Sequence, residues 1–171
     1  MSTAFFLTLR VVHVLLAAVW IGATVFMSFL LMPAIEAAGP AGGQVMIGLN
    51  RRGMSAFFGA TGGITVLTGI YLFWRFTDGF DPEVSGSHAG IAFSIGGLAG
   101  LLAVIIGGSV VGRSANKVVG LMEQAAKMPD TQRGPLMQEA GVLGQRITTF
   151  GSLVILLQVI ALVLMAVAHY I

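Results

Sequence analysis

The chain has 171 residues, 56% of them hydrophobic and only 9% charged, against roughly 25% charged in an ordinary soluble domain. A soluble domain this short cannot hide so much apolar surface, and the mean hydropathy is +0.93. The composition excludes a disordered chain and a nucleic-acid binder; nine basic against seven acidic residues leave a net charge of only +2, and the lack of cysteine removes thiolate metal sites and iron–sulfur clusters.

What remains is an integral membrane protein. A membrane-crossing helix needs roughly 20 apolar residues, and four segments supply them. The first covers 5–33. It does not read as a signal peptide, because no positive charge precedes Arg10, the apolar run is too long, and it ends in Met32-Pro33-Ala34-Ile35-Glu36. The connection 34–53 is rich in Gly and Ala and predicts a partial surface helix. The second span covers 54–76 and is followed by an acidic loop, 77–88, holding Asp78, Asp81 and Glu83. The third span covers 89–112. The segment 113–146 reads as helix on both sides of a turn at 128–135, where Pro129, Asp130, Gly134 and Pro135 cluster. Val118, Leu121, Met122 and Ala125 make a short apolar stripe, answered by Leu136, Ala140 and Leu143. The fourth span covers 147–171.

The expected fold is therefore all-α: one transmembrane domain over 1–171, a four-helix bundle with a helical hairpin at 113–146. Orientation follows from Lys and Arg in short loops. Arg51, Arg52, Arg113, Lys117, Lys127, Arg133 and Arg146 all fall on one side, seven of the nine basic residues. That side is expected to be cytoplasmic. Both termini then lie outside a bacterial-type inner membrane, and the hairpin lies within the cell.

Lipid tails do not drive helices together, so helix contacts depend on small residues. Gly96, Gly97, Gly100, Ala103, Gly107, Gly108 and Gly112 mark the third span, and Gly59, Gly62, Gly63 and Gly69 the second. They predict close helix packing, either within the bundle or against other membrane subunits or further copies of the chain.

No carboxylate lies inside a span, which argues against a carboxylate proton relay or a di-iron site. The three histidines carry more information. His13, His88 and His169 all fall in the outer half, and imidazole ligates both transition metals and heme iron. His13, Ala17, Trp20, Thr24 and Met27 recur at helical spacing. Small Ala17 beside the imidazole leaves a notch, Trp20 two turns deeper is placed to wall a planar ligand, and Arg10 is placed to pair with an acidic group such as a propionate. The expected site is a pocket of His13, Trp20 and Arg10, with His169 or His88 as second ligand. Gln158, mid-span, is expected to make an interhelical hydrogen bond. The plainer alternatives are a satisfied interfacial histidine near a helix end for His13, an interfacial anchor for His169 beside Tyr170 and a solvated loop residue for His88.

The stretch Val12-His13-Val14-Leu15-Leu16-Ala17-Ala18-Val19-Trp20-Ile21-Gly22 resembles the H…W-x-G first helix of small four-helix membrane proteins of the CopD-like group, including uncharacterised DUF-type members. Leu67-Thr68-Gly69 and Met165-Ala166-Val167-Ala168-His169-Tyr170 are similar to patterns in the same group, although His169 stands where Arg is common. The first-helix pattern is also similar to that of HemJ-type protoporphyrinogen oxidases. That resemblance implies heme b on His13. Those oxidases rely on a basic residue inside the third helix, and 90–112 here has none, which disfavours enzyme activity. A copper site would favour Met with His, but Met27 and Met32 lie toward the other half.

Two expectations follow. One is a heme- or metal-holding membrane protein for electron transfer or cofactor handling. The other is a cofactor-free accessory subunit of a larger respiratory or photosynthetic complex. A transporter or channel is the weakest reading, because the spans lack interior charge and a repeat.

Overall fold

A computed structural model describes residues 3–171, apart from the Pro40 side chain. The fold is all-helical: 90% of the chain is helix, and no strand occurs among the described residues. We number the helices α1 (Thr3–Ala37), α2 (Pro40–Arg51), α3 (Met54–Phe76), α4 (Pro82–Ser85), α5 (His88–Ala125) and α6 (Gly134–Tyr170). Helices α1, α3, α5 and α6 are long and apolar enough to cross a membrane. Their large side chains face outward, including Val14, Leu15, Phe29, Leu67, Leu98 and Leu162. This is the inverse of a soluble bundle, and it makes the chain a multi-pass membrane protein whose apolar faces meet lipid.

Hydroxyls in the spans are satisfied locally. Thr24, Thr61, Thr65, Thr68 and Ser94 each donate to the carbonyl four residues earlier, at 2.7–2.8 Å. In hydrocarbon this removes a polar hydrogen that has no water to meet.

The interior is built from small residues. Gly96, Ala99 and Ala103 of α5 are buried, as are Val154, Gln158 and Ala161 of α6. A Cβ on Gly96 would lie 3.4 Å from the Ala161 carbonyl oxygen and from Leu164 Cβ, so the two backbones approach closely there. The glycines expected to pack as a group divide. Gly97, Gly100 and Gly108 on α5, and Gly59 and Gly63 on α3, meet nothing within 4 Å among the described residues. A helix can bury only one stripe, and these positions fall off it.

Helices α5 and α6 span about 57 and 55 Å at 1.5 Å per residue, against a hydrocarbon core of roughly 30 Å. Toward the turn between α5 and α6, Val118 and Leu121 pack against Ala140, flanked by Met122, Leu136, Leu143 and Ile147. Lys117 and Glu139 form an ion pair across the same contact at 2.6 Å. The connection 34–53 holds the expected partial helix, α2, with one face packed on the bundle. Met46 and Ile47 of α2 are buried, and Arg51 holds Glu123 through Nε (3.1 Å) and Nη2 (2.9 Å).

Helices α1 and α5 each carry one wide, π-type turn, at Met27–Leu31 and Gly107–Gly112. The first precedes Pro33. Proline lacks an N–H and its ring crowds the carbonyl four residues back. The wider turn, in which the Met32 N–H reaches Met27 O, accommodates it without ending the helix.

Candidate functional site

Helices α1 and α3 run antiparallel, and their contact is keyed by two glycines. Trp20 lies over Gly62, where a Cβ would sit 3.0 Å from ring atom Cε2. Seven residues earlier on α1 and seven later on α3, His13 lies against Gly69, where a Cβ would sit 2.9 Å from Cε1. The notch that receives the imidazole is thus on α3. Sequence spacing within α1 had pointed instead to Ala17.

The His13 ring is fixed by two hydrogen bonds from one nitrogen. Nδ1 is 2.9 Å from the Thr65 carbonyl oxygen and 3.1 Å from Thr68 Oγ1. A carbonyl only accepts, and the Thr68 hydroxyl hydrogen is already directed to Ile64 O at 2.7 Å. Nδ1 therefore carries the proton and donates to both. In the neutral ring the lone pair is left on Nε2, and among the described residues nothing hydrogen-bonds that atom. A ring nitrogen oriented by an Nδ1–H bond to a backbone carbonyl, with Nε2 left as donor, is the arrangement a ligating histidine needs. Sequence spacing gives no sign that Thr65 and Thr68 are the partners of His13; positions 61, 65 and 68 share one face of α3, and Thr68 falls in the Leu67-Thr68-Gly69 pattern.

The other expected site residues are placed differently. Trp20 is 6% exposed and packs with Ala103 and Val154, flanked by Phe58 and Val104. It fills the bundle interior instead of walling an open pocket, because Gly62 opposite gives the indole room there. His169 is exposed and pairs with Arg10: Arg10 Nη2 donates to His169 Nε2 at 3.1 Å. A guanidinium has no acceptor, so the Nε2 lone pair is engaged and is not free for a second ligand bond. The His169 ring packs edge-on to Phe93 at 5.4 Å, and Phe93 packs on Phe76 at 5.0 Å. His88 is exposed at the start of α5, just after Ser87, whose hydroxyl accepts from the Gly90 N–H. Among the described residues, neither His88 nor His169 hydrogen-bonds or ring-stacks with His13. Nor do three His, Asp or Glu side chains converge where they would hold a metal ion.

Gln158 makes the expected interhelical bond, its amide nitrogen 3.2 Å from Thr24 Oγ1. The Thr24 hydroxyl hydrogen goes to Trp20 O at 2.8 Å, so the amide must donate. Its Oε1 is buried with no hydrogen-bond partner among the described residues.

Set beside known proteins, the chain matches no family model, no curated protein and no solved structure.

Proposed function

We propose that the chain is a heme-holding membrane protein acting in electron transfer or cofactor handling, with His13 as the protein ligand. The observation that carries this reading is the His13 ring itself: a proton fixed on Nδ1 by Thr65 O and Thr68 Oγ1, and Nε2 left without a partner. The donor set favours heme b over a copper ion. One axial imidazole suffices for heme iron, whereas a copper site takes several ligands, and no group of three His, Asp or Glu side chains converges among the described residues. When bound, the heme would supply a one-electron redox centre. The chain would contribute a single imidazole of fixed tautomer, with Trp20 sealing the bundle below it.

The finer topology belongs to the same proposal. Both termini lie outside, the α5–α6 extension lies in the cytoplasm, and the membrane is of the bacterial inner type. The basic residues support this, since Arg51, Lys117, Lys127, Arg133 and Arg146 gather at the end opposite His13.

The test is an absorption spectrum of the purified protein, before and after dithionite. A Soret band that shifts on reduction and is lost in His13→Ala is the expected result. Full retention of the band in His13→Ala overturns the role of His13, and a spectrum of protein absorption alone overturns heme. An accessory-subunit role is favoured by a different observation: Gly59 and Gly63, four apart on α3, and Gly97 and Gly100 on α5 face away from the bundle with nothing within 4 Å. Small residues so placed suit another helix, and a partner subunit that co-purifies would be expected.

A further inference from the structure

We infer that Arg10 and His169 form a binding site for the phosphate of a lipid headgroup, joining the first and last helices at the outer end of the bundle. The inference does not rest on heme at His13. Arg10 lies one turn from His13 but serves a different neighbour: His13 turns to α3, and Arg10 turns to α6. The guanidinium is exposed. Nη2 makes one bond, to His169, and the rest of the donor fork has no partner among the described residues. None of the three ion pairs among the described residues includes Arg10, although Asp78, Asp81 and Glu83 lie in the loop at this same end.

The hydrogen bond also sets the chemistry of His169. Nε2 accepts from Arg10, so the ring proton lies on Nδ1 and is a further donor. A planar cation with free N–H groups beside an imidazole N–H fits a tetrahedral oxyanion, and guanidinium–phosphate pairs are among the stronger charge-assisted contacts. His169 is held for this role by Phe93, itself packed on Phe76.

Depth decides which oxyanion. The same end of the bundle carries Tyr71 against Phe5 and Trp74 against Tyr71, and Tyr170 is largely exposed. Tyr and Trp collect at headgroup level, so the Arg10–His169 pair sits where lipid phosphates lie. Arg75, at the same end, is stacked at 6.0 Å over Trp74 and is not joined to His169, which makes it the natural control.

The experiment is native mass spectrometry of the full chain released from detergent with phosphatidylglycerol, with diacylglycerol of the same chains as the phosphate-free probe. Wild type is expected to retain one phosphatidylglycerol. Arg10→Gln should weaken retention about tenfold or more, as expected for loss of charge-assisted bonds; His169→Gln should weaken it less, and Arg10→Lys should restore it in part. Arg75→Gln should leave it unchanged. Equal retention in wild type and Arg10→Gln overturns the site, as does equal loss in Arg75→Gln. Displacement of the lipid by millimolar inorganic phosphate would assign the site to free phosphate and overturn the lipid. Loss of a Soret band in Arg10→Gln with lipid retention intact would assign Arg10 to a cofactor carboxylate, and that too overturns it. If Arg10→Gln does not fold, His169→Gln and Arg10→Lys carry the test.

Discussion

Gly69 lies so close to His13 that a Cβ at position 69 would sit 2.9 Å from the ring Cε1 and 3.4 Å from Nδ1. The imidazole keeps its bond to Thr65 O because residue 69 has no side chain. Gly69→Ala should therefore push the ring off its acceptors and cost about 1–3 kcal/mol, the usual range for overpacking. Thermal unfolding in detergent would measure the loss, and on the heme reading the Soret band should weaken in parallel. Gly63→Ala on the same helix meets nothing within 4 Å and should shift the melting temperature little. Equal losses at the two positions would refute the account of the His13 notch.

Trp20 and Gly62 form the companion contact, and here stability should respond most. Trp20 is nearly fully buried with Ala103 and Val154. Trp20→Ala leaves a large cavity, and about 3–5 kcal/mol is expected. Gly62→Ala would place a Cβ 3.0 Å from Trp20 Cε2 and 3.1 Å from Val104 Cγ2, a smaller but clear loss. A Trp20→Ala protein that melts like wild type would show that the indole does not fill the centre of the bundle.

Gln158 and Thr24 should behave asymmetrically. Gln158→Leu deletes a carbonyl oxygen with no partner among the described residues and one modest interhelical bond. The first deletion gains and the second costs, so the change should be neutral or stabilising by about 1 kcal/mol. Thr24→Val takes away the acceptor and leaves the buried amide N–H unpaired, costing about 1–3 kcal/mol. Chemical or thermal denaturation of both variants checks the order; a larger loss in Gln158→Leu would mean that Oε1 is well bonded.

Two further glycines are fixed by backbone and not by side chains. A Cβ on Gly42 would run into the Ile35 carbonyl oxygen, and one on Gly90 would run into the Val84 carbonyl oxygen. Neither neighbour can rotate away. Gly42→Ala and Gly90→Ala should lower expression and melting temperature sharply. Gly97→Ala, in open space on the outer face of α5, should be neutral or gain up to about 1 kcal/mol from helix propensity. A cost at Gly97 in the purified chain would instead point to a helix packed on that face.

How far the sequence reached is visible in particular residues. The bounds of the second span, 54–76, agree with helix α3, because a run of apolar residues between Gly53 and Thr77 with Arg at both borders is a local signal. The stripe of Val118, Leu121, Met122 and Ala125 likewise announced a packed face: Val118, Leu121 and Ala125 are buried and Met122 is half-buried. The site was less legible. Periodicity along α1 grouped His13, Ala17 and Trp20 on one side, but it could not show that Gly69 and Gly62 receive the two rings. Nor could it show that His169 is taken by Arg10.

The sequence by itself determined the class and the helices. Transfer of apolar side chains into lipid adds up along the chain, and helical hydrogen bonds close within four or five residues, so both are written locally. The tertiary structure alone decided which nitrogen of His13 carries the proton, which glycines lie inside, and where Arg10 spends its bond. Those outcomes depend on the register between helices whose contacting residues are 52, 134 and 159 positions apart. Register is fixed by the fit of Trp20 and His13 into gaps on a helix far away in the chain, and no local pattern encodes that fit.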